Sequence, residues 1–482
     1  MNVWLDVTTI AGWSRPAVGI IRTEAECARH FLAQSEAPVR FCRFEKAERR
    51  YYELDRDFVE ATLARLDGSR HRPKAETAPS APAAAAPIPV ALTKEQRLKV
   101  GLKSLINRLP TGARSRAFHY AQTRKEAFFA AMRAAREGRE AMRHLLKKPE
   151  GPPIFVPSEP APTASSEPQP APFGRGDVVV SLGLDWDQKD LPTLYEIKQR
   201  LDLKVVLFCY DIIPVRLPHL CVGDVASIFG RYFADLAWCA DKVLCISDYS
   251  RRDLAAFLGE IGAPTPEMAV VRLGSELPDA EAPVPSAELA PLLEQRYVLF
   301  VSTIERRKNH ETLYRAYTRL IDRGMTDLPL LVFVGMPGWG VHDLMLDLKL
   351  DPRIKPYLRI FNNLSDDDLG LLYRNAYFTA FPSLFEGWGL PVAESLSYGK
   401  FCLASHSSSI PEVGGDLLEY LDPWDVGAWT ERLAWYFTHP EAVAAREERI
   451  KANYRPTRWS ETGRFVLDQA VAAGEAARRV GV

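Results

Sequence analysis

The sequence predicts two doubly wound α/β domains, and three observations lead there. Short apolar runs of four or five residues recur at 178–182, 205–209, 243–246, 269–272, 297–301, 330–334, 358–361, 378–381 and 401–404. Most are continuous rather than alternating, as parallel strands covered on both faces require. Helical patterns lie between them, as at 309–322 and 366–375, and strand alternating with helix predicts a doubly wound sheet. A Pro/Ala/Glu stretch at 277–291 then cuts the series into two halves.

The first half opens with a short buried strand over 3–8, then Gly19 and a helical pattern from Ile20 to Phe31. A large break follows at 73–173. Its flanks, 73–90 and 149–173, are rich in Pro, Ala and Ser and have little to bury, so an extended or disordered chain is expected there. Between them, 91–148 reads as helical and basic. Residues 94–148 carry 15 Lys/Arg against 4 Asp/Glu, a net +11 in a chain whose total is −1. The expected organisation is a first α/β domain of 1–72 and 174–276, interrupted by the insert 73–173. A linker at 277–291, a second α/β domain at 292–454, and a final helical stretch at 455–482 complete it.

Composition narrows the function classes. The apolar and charged fractions, 47% and 26%, are those of an ordinary soluble globular chain. Seven scattered cysteines, an odd number with no C-x-x-C pair, argue against a disulfide framework or a zinc site and fit a reducing cytoplasm. The longest apolar runs fall far below the ~20 residues of a membrane span. The start MNVWLDVTTI has no basic n-region, so no secretory leader is expected.

The chemistry concentrates in two segments. The first is SLFEGWGLPVAESLSYGK, 383–400, just after the strand 378–381. Gly387 and Gly389 let the backbone approach a ligand without a Cβ in the way. Pro391 suits the first helical turn, and Gly399 suits a C′ position. A helix N-terminus at the carboxyl end of a parallel sheet favours an anion such as a diphosphate. Glu386 and Glu394 would flank it and accept hydrogen bonds from sugar hydroxyls. The plainer alternative is a tight turn with an exposed Glu and a surface-helix Glu. The second segment is VSTIERRKNHETLYRA, 301–316. There Arg306, Arg307 and Lys308 cluster at a strand's carboxyl end, where they would neutralise a departing diphosphate or form a solvated basic turn.

Together these segments resemble the retaining GT-B glycosyltransferases of family four. The E-x7-E of Glu386 and Glu394, the R-K-N of Arg307, Lys308 and Asn309, SIPEVGGD at 409–416, Gly19-Ile20-x-Arg22 and CISDYSRRDL at 245–254 stand in the family's order. Tyr210-Asp211-Ile212-Ile213-Pro214 is similar to a motif that many relatives write with His-Asp. The resemblance spans roughly 1–45 and 175–470. It implies that Arg307 and Lys308 bind the donor diphosphate, that Glu394 contacts the ribose, and that Glu386 faces the donor sugar. Gly387, Gly389 and Leu390 would line the donor, and Gly19 would bring a first-domain loop to the phosphates. Arg22, Tyr210 and Asp211 would contact sugar or acceptor; apart from the resemblance, Trp186 in Asp185-Trp186-Asp187 would contact acceptor or sugar or be a loop Trp packed in place. The resemblance further implies hexosyl transfer with retention, no cofactor and no metal. The leaving phosphate oxygen would then accept the acceptor hydroxyl's proton. GDP-mannose is the favoured donor and a saccharide or lipid-linked saccharide the acceptor, as in surface polysaccharide synthesis. An inactive GT-B scaffold is the alternative.

Departures are visible. Tyr210 replaces a histidine, which argues against a base there, and Met336 stands where relatives often place a basic residue. Asp185-Trp186-Asp187 has the D-x-D form that another glycosyltransferase fold uses for a divalent metal, but it lies far from the donor motifs. The insert interleaves Arg/Lys with Leu, Ile and Phe. It would attach a cytoplasmic enzyme to an anionic membrane surface, pack on the enzyme itself or meet a partner. A nucleic-acid partner is not expected, because no recognisable motif is present.

Overall fold

Strand formation follows the apolar runs. The structure, a computed structural model, describes residues 1–14, 17–34, 38–70, 172–221, 223, 225–276, 284–362 and 364–480. These belong to one compact unit, Met1–Pro73 with Pro170–Val482; the other unit, Lys74–Gln169, lies outside the described residues, and the readings of the basic insert lie there with it.

The first sheet contains β1 (Val3–Asp6), β2 (Val39–Glu45), β3 (Arg50–Leu54), β4 (Val178–Ser181), β5 (Lys204–Cys209), β6 (Lys242–Cys245) and β7 (Glu267–Val270). Its order is β3-β2-β1-β4-β5-β6-β7. All neighbours are parallel except the hairpin β2–β3. The second sheet contains β8 (Tyr297–Val301), β9 (Leu330–Val334), β10 (Leu358–Phe361), β11 (Phe378–Phe381), β12 (Cys402–Ser405) and β13 (Glu419–Leu421). Its order is β10-β9-β8-β11-β12-β13, parallel throughout. In β4, β9, β11 and β12 every residue is buried, which is why their sequences are apolar without alternation.

Three differences from the sequence reading have local causes. The hairpin β2–β3 was not anticipated, because VRFCRFE and RYYEL mix charge with apolar residues. It forms at the sheet edge, where Arg40 and Arg43 face solvent while Phe41, Cys42 and Phe44 are buried. The strand read as 3–8 stops at Asp6. The Asp6 carboxylate accepts the Thr8 N–H at 2.9 Å, a side-chain turn that diverts the backbone into the helix Thr8–Gly12. The edge strand β13 is only three residues long, too short for a periodic signal.

The last helix, Trp459–Val480, returns to the first sheet and packs on the helix Ile20–Ala33 and on β4 and β5. Glycines make the approach close. A Cβ at Gly463 would press on His30, and one at Gly474 would press on Met1 and Val178. Lys242 on β6 donates to Gln469 at 2.9 Å, and the Trp459 N–H donates to Glu276 at 2.8 Å.

Candidate functional site

Beyond β11 the chain turns through 382–389 and enters the helix Leu390–Ser397. Gly389 is the N-cap residue at φ +110°, a conformation that an L side chain resists. Leu390 opens the helix, with Pro391 in its first turn. Gly399 follows the helix end at φ +69°, where a C′ glycine is expected. The other wall is the turn after β8. Asn309 adopts the left-handed conformation, φ +59°, and its side-chain amide donates to the carbonyls of Pro382 and Pro423 at 3.1 and 2.8 Å. The basic turn is thereby tied to the loop it faces.

Glu386 lies between them and is buried. One carboxylate oxygen accepts from Lys308 Nζ at 2.6 Å and from Ser383 Oγ at 2.5 Å; the other accepts from Arg307 Nη1 at 2.8 Å. Arg307 also donates to Glu305 and to the Phe385 carbonyl, both at 2.7 Å. Burial would raise the Glu386 carboxyl, but Arg307 and Lys308 outweigh it and hold it at about 2. Burial and the Arg307 charge push the Lys308 ammonium down. Arg306 lies toward the first domain, at 3.5 Å from the His219 carbonyl.

Glu394 is also buried and sits one helical turn further along. Burial raises its carboxyl to about 7, against the nearby Arg22 charge and the Tyr373 hydroxyl, which donates to it at 2.8 Å. Arg22 comes from the first domain and pairs with Asp366 rather than with Glu394. Its guanidinium donates to both oxygens of Asp366, at 2.8 and 3.0 Å, and to the Ala17 carbonyl at 3.2 Å. Gly19 caps the Arg22 helix at φ +52°.

Tyr210 and Asp211 follow β5 directly and meet the glycine loop. A Cβ at Gly387 would collide with the Tyr210 carbonyl oxygen and stand 3.0 Å from Asp211 Cβ. The Tyr210 ring is buried, and its hydroxyl donates to the Leu182 carbonyl at 2.6 Å. Burial pushes that hydroxyl far above the ordinary tyrosine value, so it is no base near neutral pH. Burial also raises Asp211, opposed by Arg307. Trp186 stands elsewhere in the first domain, against Phe229 and Tyr232 with ring centres 4.8 and 6.3 Å away. In the D-x-D tripeptide, Asp185 is buried on Lys189 at 2.8 Å and Ser181 at 2.8 Å, while Asp187 is exposed. Among the described residues no group of three or more metal-ligating side chains converges, and no helix is long and apolar enough to cross a membrane.

Of the residues the sequence reading named, Arg307, Lys308 and Glu386 are in contact, and Glu394 stands on the helix that follows, bound to Tyr373. That reading passed over Glu305, Tyr373, Asp366 and Ser408, and included Ser409 only as the start of SIPEVGGD. Ser408 Oγ accepts the Glu386 N–H at 2.7 Å, and Ser409 Oγ donates to the Glu386 and Trp388 carbonyls at 2.9 and 3.0 Å. Glu305 adjoins the basic run, so its charge was a readable signal. The others arrive from separate elements and left none.

Residues 286–455 match the family "Glycosyl transferases group 1". O-antigen chain mannosyltransferase B of Escherichia coli is 29% identical over 243 residues, 49% of this chain and 61% of that protein. Serotype-specific mannosyltransferase WbdA of the same species is 26% identical over 328 residues, 64% of this chain and 39% of that protein. The chain therefore spans less than two thirds of the length of either relative. A solved structure of Anabaena HepE with UDP-glucose aligns at TM-score 0.49 and 12% identity, covering 61% of this chain and 78% of that one. The family match over 286–455 thus falls on the second sheet and on the segments that carry Arg307, Lys308, Glu386 and Glu394, so this part of the chain is similar to the group 1 glycosyl transferases.

Proposed function

We propose that this protein is a retaining glycosyltransferase that moves a hexose from a nucleotide sugar to a saccharide or lipid-linked saccharide. One observation carries the reading: an ionised Glu386 gripped by Arg307 and Lys308 in front of a glycine-capped helix. An ammonium has three donors and Glu386 takes one of Lys308's, so donors remain for a diphosphate. Helix dipole and cations together favour an anion at that point. Glu386, with its carboxyl at about 2, is a fixed acceptor for sugar hydroxyls rather than a proton donor. Glu394 is suited to the ribose hydroxyls once it is ionised.

The acceptor hydroxyl must lose a proton. Tyr210 is unsuited, with its hydroxyl buried on Leu182. As the family resemblance implies, the departing phosphate oxygen takes that proton on the same face as the incoming hydroxyl, a course that retains configuration. Arg307 and Lys308 then stabilise the charge that develops on the diphosphate.

GDP-mannose is the favoured donor. Mannosyltransferases of O-antigen assembly are among the relatives, and surface polysaccharide synthesis is the corresponding role. The basic insert fits attachment to an anionic membrane surface on the cytoplasmic side. Thermal-shift titration with UDP-, GDP-, dTDP- and ADP-sugars, followed by acceptor-free hydrolysis, tests the reading. One class should raise the melting temperature and release its nucleoside diphosphate. If no class does either, the proposal fails.

A further inference from the structure

The donor loop is held from behind by a seam that the reaction chemistry does not use. Phe385, Gly387 and Trp388 each meet the first domain. Phe385 packs edge-on against Tyr249 with ring centres 5.3 Å apart. Gly387 closes on Tyr210, and Ser250 Oγ lies 3.1 Å from the Tyr210 carbonyl and 3.2 Å from the Gly387 carbonyl. The Arg272 guanidinium lies over the Trp388 ring at 4.7 Å. Glu386 itself is fixed by Ser408 and Ser409.

Those serines lead directly into the helix Ile410–Gly414, which carries Glu412. Glu412 reaches across to the first domain. Its two oxygens accept the backbone N–H groups of Asp248 and Tyr249, at 2.9 and 2.7 Å, and Arg272 stands 3.5 Å away. Asp248 and Tyr249 begin the 13-residue helix Asp248–Glu260. The helix's own cap, Ser247, already accepts the Ser250 N–H at 3.0 Å. A carboxylate from the second domain therefore satisfies the remaining first-turn donors of a first-domain helix. Charge-assisted bonds at a helix N-terminus are among the stronger polar contacts a side chain makes.

We propose that Glu412 is a positioning residue: by capping the helix Asp248–Glu260 across the domain seam, it holds the two domains closed and sets the 385–388 loop, and with it Glu386, at the sugar. The inference rests on the donor-site reading for its kinetic consequence, but closure itself is independent of which reaction runs. When the domains part, the Asp248 and Tyr249 N–H groups and the Glu412 carboxylate all return to water. The contact is therefore remade in each closure.

The test uses the full-length protein carrying Glu412→Ala or Glu412→Gln. Spin labels at Glu196→Cys and Lys349→Cys, both exposed and one in each domain, report closure in a Cys221→Ser background. The expected result is a label-distance distribution broadened toward open states, with the melting temperature within a few degrees of the parent. With a turned-over donor, kcat should fall about tenfold while nucleoside diphosphate affinity changes less than threefold, because that ligand is held by Arg307, Lys308 and Glu394 within the second domain. Arg272→Ala should produce a smaller shift of the same sign. Distances unchanged in Glu412→Ala would overturn the proposal, as would a large melting loss with no opening. Failure of every nucleotide sugar to react would remove the donor reading and leave the closure result standing.

Discussion

Lys308 and Arg307 share one buried carboxylate, and removing either cation has two consequences. Lys308→Ala should lower turnover by about a hundredfold, the usual scale for a lost transition-state charge contact. It should also cost a few kcal/mol of stability, because Glu386 is left with half its compensation. Lys308→Met combined with Glu386→Gln separates the two effects: melting should recover and turnover should not. Recovery of both would make the cluster structural only. Glu394 supplies a pH test. Burial raises its folded value to about 7 from an ordinary 4.5, so the protonated form is the one that folding favours. That contribution, up to about 3 kcal/mol, is full below pH 4.5 and is lost as pH rises through 7. Ribose hydroxyls donate to the ionised form, so donor binding should strengthen several-fold from pH 6 to pH 8, and Glu394→Gln should flatten the profile. A wild-type KM with no slope there would detach Glu394 from the donor. The residue types of this site were legible because two glycines, a proline and two glutamates stand in one short segment. The partners were not. Nothing in the sequence says that Arg22 will meet Asp366, 344 positions away, or that Tyr373 will donate to Glu394.

Among elements, the 382–389 turn is the most sensitive to backbone space. Gly387→Ala introduces a methyl against the Tyr210 carbonyl, which is main chain and cannot rotate aside. Activity should fall at least tenfold with little loss of melting temperature, because the collision is relieved by parting the domains. Gly19→Ala meets no neighbour, so it should report only the strain of φ +52°, of the order of 1–3 kcal/mol. Equal effects from both would argue against closure as the cause. The first-domain D-x-D gives a second element-scale prediction. Asp185 is already committed to Lys189 and Ser181, so activity should survive a strong chelator. Complete loss with EDTA, restored by manganese or magnesium, would contradict this. The sequence placed the buried parallel strands because burial on both faces leaves an unbroken apolar run. It did not place the edge strands β3 and β13 or β2, next in from the edge, where solvent permits charge and three residues suffice.

At the scale of the whole molecule, the two sheets and the returning helix Trp459–Val480 form one compact unit, in which the 382–389 turn meets the first domain at Tyr210, Ser250 and Arg272. The insert is a separate matter, since it lies outside the described residues, and its charge of +11 over 94–148 is the only basis for its role. Deleting 74–172 should leave the α/β unit folded and active on a soluble acceptor analogue. Binding to anionic vesicles should fall, and in the intact protein it should weaken with salt. Aggregation of the deleted protein, with no vesicle binding by the intact one, would assign the insert to packing instead. The central claim is that Arg307, Lys308, Glu386 and Glu394 hold a nucleotide sugar for same-face transfer. Proton NMR of the first sugar released from an α-linked nucleotide-sugar donor, read before mutarotation, tests it most directly. The account predicts the α-anomer first, abolished in Glu386→Gln combined with Lys308→Met; the β-anomer appearing first would contradict it.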